Sequence, residues 1–144
     1  MAKVKPEDIH PAYKTMQVKS DSYQESNDCS VVATAIAAGI TYDKSRHMYR
    51  RAGRRKGCGV NYVMIDRVLD TIGCVRYPFS VRLRLMEEKN GGRQLTFNNV
   101  VKLLDGSKRY IIVGKDHMVA CLDGRIADWS EGTRHRVENI YEIS

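Results

Sequence analysis

Asn27-Asp28-Cys29-Ser30-Val31-Val32-Ala33-Thr34-Ala35-Ile36-Ala37-Ala38-Gly39-Ile40 is the stretch on which the fold turns. From Ser30 to Ile40 it is apolar nearly all round and rich in Ala, which predicts a buried helix and not an amphipathic surface one. Asn27 or Asp28 is placed to cap its start. A helix buried on every side needs further layers around it, so the flanking segments decide the architecture.

Downstream, a second helix is expected from about Asp43 to Ala52, with Asp43 as its cap, Met48 and Tyr49 on its apolar side and Gly53 at its end. Beyond the loop Arg54 to Gly59, the segment Asn61 to Thr71 sets Val63, Ile65, Val68, Leu69 and Ile72 at helical spacings, and Gly73 closes it. Cys74 to Phe79 predicts a short strand. Leu83 to Gln94 is charged and holds Gly91-Gly92, and Thr96 to Leu104 predicts a short capped helix stopped at Asp105-Gly106. Upstream, residues 1–22 form a polar lead-in of weak strand character.

The second half changes period. Arg109-Tyr110-Ile111-Ile112-Val113, His117-Met118-Val119-Ala120-Cys121-Leu122 and Arg125-Ile126-Ala127-Asp128-Trp129 follow one another, with Gly114-Lys115-Asp116 and Asp123-Gly124 between them. Asp-Gly between apolar strands is a strong tight-hairpin signal. Val137 to Ile143 adds a last strand. Helices first and an antiparallel meander after predict an α+β domain, its N-terminal helices packed on a C-terminal antiparallel sheet. At 144 residues the chain fits a single domain over 1–144.

Composition narrows the class. Hydrophobic residues at 42% and charged residues at 28% supply a core and argue against a disordered chain. No run reaches the roughly 18 apolar residues of a membrane helix, and no apolar segment follows the charged N-terminus, so a soluble, cytoplasmic protein without membrane partner is expected. The four cysteines, at 29, 58, 74 and 121, form no CxxC pair and no zinc-like spacing with histidine. Neither a metal nor a cofactor is expected, and a reducing compartment keeps the thiols free. Lys plus Arg exceed Asp plus Glu by 24 to 17, for a net charge of +7. The densest basic block, Arg50-Arg51-Ala52-Gly53-Arg54-Arg55-Lys56, reads either as a solvated loop or as a phosphate-backbone contact for nucleic acid, without the aromatics of a base-stacking platform.

Cys29 stands directly before the buried helix, where unpaired backbone amides and the helix dipole favour a thiolate, the nucleophilic form. A buried small hydrophobe would occupy the same place, so position alone does not decide. His117 opens a strand after a polar turn, on the face that period two shares with Val119 and Cys121, and is expected to face the helix start. Asp128 follows the hairpin eleven residues later and is expected to reach His117 Nδ1. Cys29, His117 and Asp128 are then nucleophile, base and orienting group. His10 and His47 read as surface residues, and His135, in the charged turn Thr133-Arg134-His135-Arg136, as a rival base. Trp129 either shields the His117 and Asp128 pair, lines a groove or packs in the core. Cys58, in Gly57-Cys58-Gly59, is expected to be exposed.

Gln24-Glu25-Ser26-Asn27-Asp28-Cys29 with the Ala-rich helix after it, Lys115-Asp116-His117-Met118-Val119-Ala120, and Asp123-Gly124-Arg125-Ile126-Ala127-Asp128-Trp129 together carry a resemblance. The chain resembles the papain-like cysteine peptidase superfamily, and within it small bacterial and phage proteins, over roughly residues 22–40 and 108–130. The resemblance implies acyl transfer: Cys29 attacks an amide, ester or isopeptide carbonyl of a protein or peptide, and His117 shuttles the proton. It also implies an oxyanion donor a few residues before the Cys. Gln24 stands five positions before Cys29, one short of the commoner six, and Asn27 is the alternative. Members of the superfamily that have lost catalysis make a basic accessory or host-factor-binding protein, engaging protein or nucleic acid through Arg50, Arg51, Arg54, Arg55 and Lys56, the competing expectation.

Overall fold

The computed structural model describes residues 4–75 and 79–143. The buried helix is there: Cys29–Ala38 (α2) has every residue from Ser30 to Ala37 buried. Gly39 ends it at φ +67, in the left-handed conformation that suits glycine, and Ile40 N–H closes the turn on the Ala35 carbonyl. Around α2 lie Pro11–Ser22 (α1), Tyr42–Arg51 (α3) and Tyr62–Ile72 (α4). The cap of α3 is Thr41, whose side chain accepts from Lys44 N–H at 3.1 Å, and not Asp43. Asp43 is taken instead by the Tyr23 hydroxyl and by Lys19 Nζ at 3.1 Å. In α4, capped by Asn61, Ile65, Val68 and Leu69 turn inward while Val63 is exposed.

Of the expected strand-like lead-in over 1–22, the described part, residues 4–22, is helical instead. Pro6–Asp8 forms a 3₁₀ turn, and α1 starts at Pro11 behind His10, whose Nδ1 accepts from Ala12 N–H at 3.1 Å. Proline at the first helical position loses no intrahelical bond. The inward stripe of α1 is Tyr13, Met16, Gln17 and Ser20, helically spaced but largely polar. His10 is accordingly a half-buried cap, not a free surface residue, and its Nε2 meets Asp123 at 3.5 Å. His47 is exposed, as expected.

The strands are Cys74–Val75 (β1), Arg109–Gly114 (β2), His117–Leu122 (β3), Arg125–Ile126 (β4) and Val137–Ile143 (β5). All pairings are antiparallel, in the order β1-β5-β2-β3-β4. β2, β3 and β4 meander, but β5 crosses back to pair with β2 instead of extending past β4. The expected strand over Cys74 to Phe79 is described only at Cys74–Val75, with residues 76–78 outside the described residues, and Arg125 to Trp129 is extended only to Ile126. The charged stretch after it is a helix, Phe79–Lys89 (α5). Phe97–Val100 (α6) carries the expected Thr96 cap, in a reciprocal capping box with Asn99.

The sheet is covered on both faces, so the two-layer expectation gives way to three layers. Ile111, Val113, Met118, Ala120 and Tyr141 pack with α2, α3 and α4. Tyr110, Ile112, Val119, Cys121 and Ile140 pack with Met86, Leu95, Phe97 and Val100 on the other side. Strands apolar on both pleats are those a sheet buried on both faces requires. Each fully buried Ile or Leu side chain in these layers contributes roughly 1.5–3 kcal/mol.

Candidate active site

Cys29 is the first residue of α2, half-buried on the wall of a cleft of about 560 Å³ between the helices and the β2–β3 end of the sheet. Asp28 occupies the capping position, but its side chain caps nothing: its Oδ2 accepts from the Tyr42 hydroxyl at 2.8 Å. The first amides of α2 are thus left without a side-chain acceptor, directed with the helix dipole to the cleft beside Cys29.

His117 opens β3 and lines the same cleft. Its face differs from the expected one, since Val119 and Cys121 belong to the layer away from α2 while Met118 and Ala120 face the helix. The ring reaches the cleft that Cys29 lines from the first residue of β3. Gly114, its register partner, matters here: a Cβ at that position would lie 2.8 Å from the Phe97 ring. The missing side chain lets Phe97 sit against His117 at 6.3 Å between ring centroids.

Asp128 is brought back by the Asp123-Gly124 hairpin, both of whose residues have positive φ, as a tight two-residue turn demands. Its buried carboxylate bonds His117 at 2.7 Å, through Nε2 and not the expected Nδ1. The Ser130 hydroxyl and N–H also donate to Asp128 and hold it in place. Cys29 lines the same cleft, close enough to the imidazole to act on its titration. With Nε2 engaged by Asp128, the nitrogen left for the sulfur is Nδ1. Burial acts to lower the His117 pKa, but the bonds and charges of Asp128 and Cys29 override it and raise it to about 9. The shift favours the protonated form of His117 beside the sulfur.

Trp129 tilts over His117 at 5.0 Å and lines the cleft, so it both shields the ring and forms a wall. His135 is not in a solvated turn: it packs behind His117 at 5.8 Å and stacks on Phe97 at 5.2 Å, with its Nδ1 bonded to the Thr133 hydroxyl. It does not line the cleft, which disfavours it as a rival base.

Gln24 is exposed and lies outside the cleft. Its backbone explains why. Gln24 N–H bonds the Asp21 carbonyl, Glu25 N–H bonds the Ser20 carbonyl, and Gln24 has φ 53. This is the left-handed turn that ends α1, with glutamine where glycine is usual, and its side chain is pointed away by that role. Asn27 does line the cleft, with its Nδ2 donating to the Gly57 carbonyl at 2.9 Å. Two residues not singled out from the sequence join it from α1. Gln17 donates to Asp21 at 3.0 Å, and Tyr13 stands close enough to feel the charges of Asp128, Asp28 and Cys29. Burial first, and those charges after it, push the Tyr13 phenol up, so it stays a neutral donor. Pro11 after His10, with Tyr13, Met16, Gln17 and Ser20 at helical spacing, was the available signal.

Glu25 was also missed. Its side chain is 0% exposed, with Oε2 accepting from Arg46 Nε at 2.8 Å and Arg54 Nη1 at 2.9 Å, and Oε1 from Arg54 Nη2 at 3.1 Å and Gly57 N–H at 3.0 Å. Arg54, 3% exposed, is thereby an internal ion-pair partner and not a free basic contact. Arg50, Arg51, Arg55 and Lys56 are exposed. The pair locks the loop before Cys29 to the loop 53–61, which supplies Gly59 and Val60 to the cleft wall.

All four cysteines are free, Cys58 exposed and Cys121 buried. Among the described residues no group of three or more His, Cys, Asp and Glu could hold a metal ion, and no helix is long and apolar enough to cross a membrane. No protein-family model, no curated protein and no solved structure matches the chain.

Proposed function

We propose that the chain is a cysteine-dependent hydrolase or acyl transferase of papain-like type, acting on a carbonyl of a protein or peptide through Cys29, His117 and Asp128. One arrangement carries the reading: a single imidazole is bonded through Nε2 to a buried carboxylate and stands beside a cysteine at a helix start, inside an open cleft. In the reaction, Cys29 Sγ attacks the carbonyl carbon and the oxygen takes up the negative charge. The Cys29 N–H and the Tyr13 hydroxyl would hold that oxyanion. His117 Nδ1 gives its proton to the departing amine or alcohol, and a thioester to Cys29 remains. His117 then takes a proton from water or an acceptor nucleophile, which attacks the thioester and restores the thiolate. Asp128 holds the ring in position throughout and offsets its charge. A reducing, cytoplasmic setting suits this reading, because the thiol must stay reduced.

The test is trapping of the acyl intermediate with p-nitrophenyl acetate. Acetyl is expected on Cys29 by mass spectrometry, with Cys29→Ala unlabelled. Tyr13→Phe should slow acetylation about 10- to 100-fold, somewhat less than the loss of a strong oxyanion donor. Gln24→Ala should leave the rate unchanged. Acetyl spread equally over the cysteines, or a slow Gln24→Ala protein, would contradict the assignment.

A second reading has its own observation: a cavity of about 390 Å³ lined by Arg46, Arg50, Arg54, Arg55 and Lys56 with Glu25 as its one acid. Such a basic concavity suits an anionic partner, nucleic acid foremost. Under this reading the protein is retained on single-stranded DNA in a salt-dependent manner. Arg50→Glu, Arg51→Glu and Arg55→Glu together abolish retention and Cys29→Ala does not. Arg54 is excluded from that set because it holds Glu25. Retention indifferent to the charge reversals removes this reading.

A further inference from the structure

We propose that the cleft selects a cationic substrate, a peptide segment bearing Lys or Arg, with Asp116 and Glu138 as the groups that recognise its charge. This rests on the hydrolase reading for the chemistry, but on separate observations for the charge. The chain carries +7 overall, yet among the described residues its cleft is lined by Asp28, Asp116, Asp128 and Glu138 and by no Lys or Arg. Two of these carboxylates are already employed inside the protein, Asp28 by Tyr42 and Asp128 by His117 and Ser130. Asp116 and Glu138 have no ion pair or side-chain hydrogen bond among the described residues.

Their placement is set by the sheet. Gly114 is in register with His117 on one side and with Val137 on the other. Asp116 directly precedes His117 in the β2–β3 turn, and Glu138 follows Val137 at the irregularity where β5 shifts register on β2. The two carboxylates therefore flank Gly114 at the end of the sheet that carries His117. Glu138 is half-buried and near enough to Tyr62 to help burial raise that phenol's pKa. Both carboxylates thus face the cleft without a protein cation beside them among the described residues, and a cationic ligand would supply one. The aromatic rings of Tyr62 and Trp129 on the same cleft offer faces for a guanidinium or an ammonium and its aliphatic stem.

An independent observation also points to a bound chain. The Ser30 hydroxyl, next to Cys29 in a residue that lines the cleft and is 1% exposed, has no hydrogen-bond partner among the described residues. Buried hydroxyls are nearly always paired, and a bound chain that displaces the wall beside Cys29 would supply the missing group. A cleft of one sign with low-dielectric walls also concentrates oppositely charged ligands, raising association rates by roughly 10- to 1,000-fold at low salt.

The experiment compares two thiosulfonates of similar size, trimethylammonium-ethyl and sulfonatoethyl methanethiosulfonate, each normalised to the neutral methyl reagent, with modification at Cys29 followed by mass spectrometry. At low ionic strength the cationic reagent should react at Cys29 at least about tenfold faster than the anionic one. The ratio should collapse toward one in Asp116→Asn/Glu138→Gln and on raising the salt. In parallel, fluorescein-labelled hexa-arginine and hexa-glutamate peptides are titrated into Cys29→Ala protein. Hexa-arginine should bind more tightly, and lose that advantage in the Asp116→Asn/Glu138→Gln background, although net charge alone favours the acidic peptide. Equal or anion-preferring behaviour in both measurements overturns the proposal while leaving acylation at Cys29 intact. An inert Cys29 combined with carboxylate-dependent binding of hexa-arginine overturns the hydrolase reading and leaves the cation site standing.

Discussion

Iodoacetamide at pH 6 should alkylate Cys29 ahead of the exposed Cys58, and His117→Ala should slow that reaction by about 10- to 100-fold. An ordinary exposed thiol, with a pKa near 8.5, is under about 1% thiolate at pH 6. Cys29 stands beside the His117 imidazole and at the start of α2, the surroundings in which reactive cysteines are found. The loss on removing His117 is smaller than the change in thiolate fraction alone, because a more basic thiolate is also more nucleophilic. Asp128→Asn should give an intermediate effect, since Nε2 loses its anionic partner while the ring stays in place. The difference between wild type and His117→Ala should shrink as pH rises through about 9, where His117 gives up its proton. Mass-resolved alkylation rates from pH 5 to pH 10 check all three variants. A Cys29 that reacts like Cys58 with or without His117 would remove the proposed pairing of the two.

The second large effect is on stability. Arg54→Ala leaves Glu25 buried beside Arg46 alone, and Glu25→Gln leaves Arg54 buried without its counterion. Breaking a buried pair by removing one partner costs about 3–5 kcal/mol, which for a domain of this size lowers Tm by roughly 10–20 °C. The pair also sets a pH dependence of definite sign. Burial would raise the Glu25 carboxyl, but Arg54, the Gly57 N–H and Arg46 hold it down, to about 2 against an ordinary 4.5. A depressed carboxyl contributes stability that is fully present above about pH 4.5 and lost as pH falls toward 2. Glu25→Gln should flatten that acid limb. Thermal unfolding followed by circular dichroism between pH 2 and pH 7 measures both effects, and a Glu25→Gln protein as acid-sensitive as wild type would show that the pair is not the source. Because the pair fastens the loop before Cys29, the same variants should also reduce Cys29 reactivity at temperatures where they remain folded.

Much of this was open to reading along the chain, because it depends on neighbours a few residues away. The all-round apolar run after Cys29 means a buried helix wherever it is placed. Asn61 and Thr96 cap the helices they precede because a short side-chain acceptor is needed there. Asp123-Gly124 makes the hairpin that returns Asp128 to His117, since both positions need positive φ. These local elements mark Cys29, His117 and Asp128, in that order, as candidates without deciding their role.

Tertiary structure decided the rest. Tyr13 and Gln17 went unread because the inward stripe of α1 is polar, and hydrophobic periodicity is silent where the buried groups are a phenol, an amide and a hydroxyl. Gln24 carried the outward sign of an oxyanion donor, but the end of α1 claimed its backbone and turned its side chain to solvent. Arg54 looked like one cation of a basic block until Glu25, 29 residues earlier, took it inward. The place of β5 beside β2, and with it Glu138 at the cleft, rests on pairing between strands far apart in the chain. Periodicity and composition specify which faces are buried and which turns close. They do not specify the partner, because each long-range contact depends on how every element between its two ends has packed, and the cleft is made of such contacts.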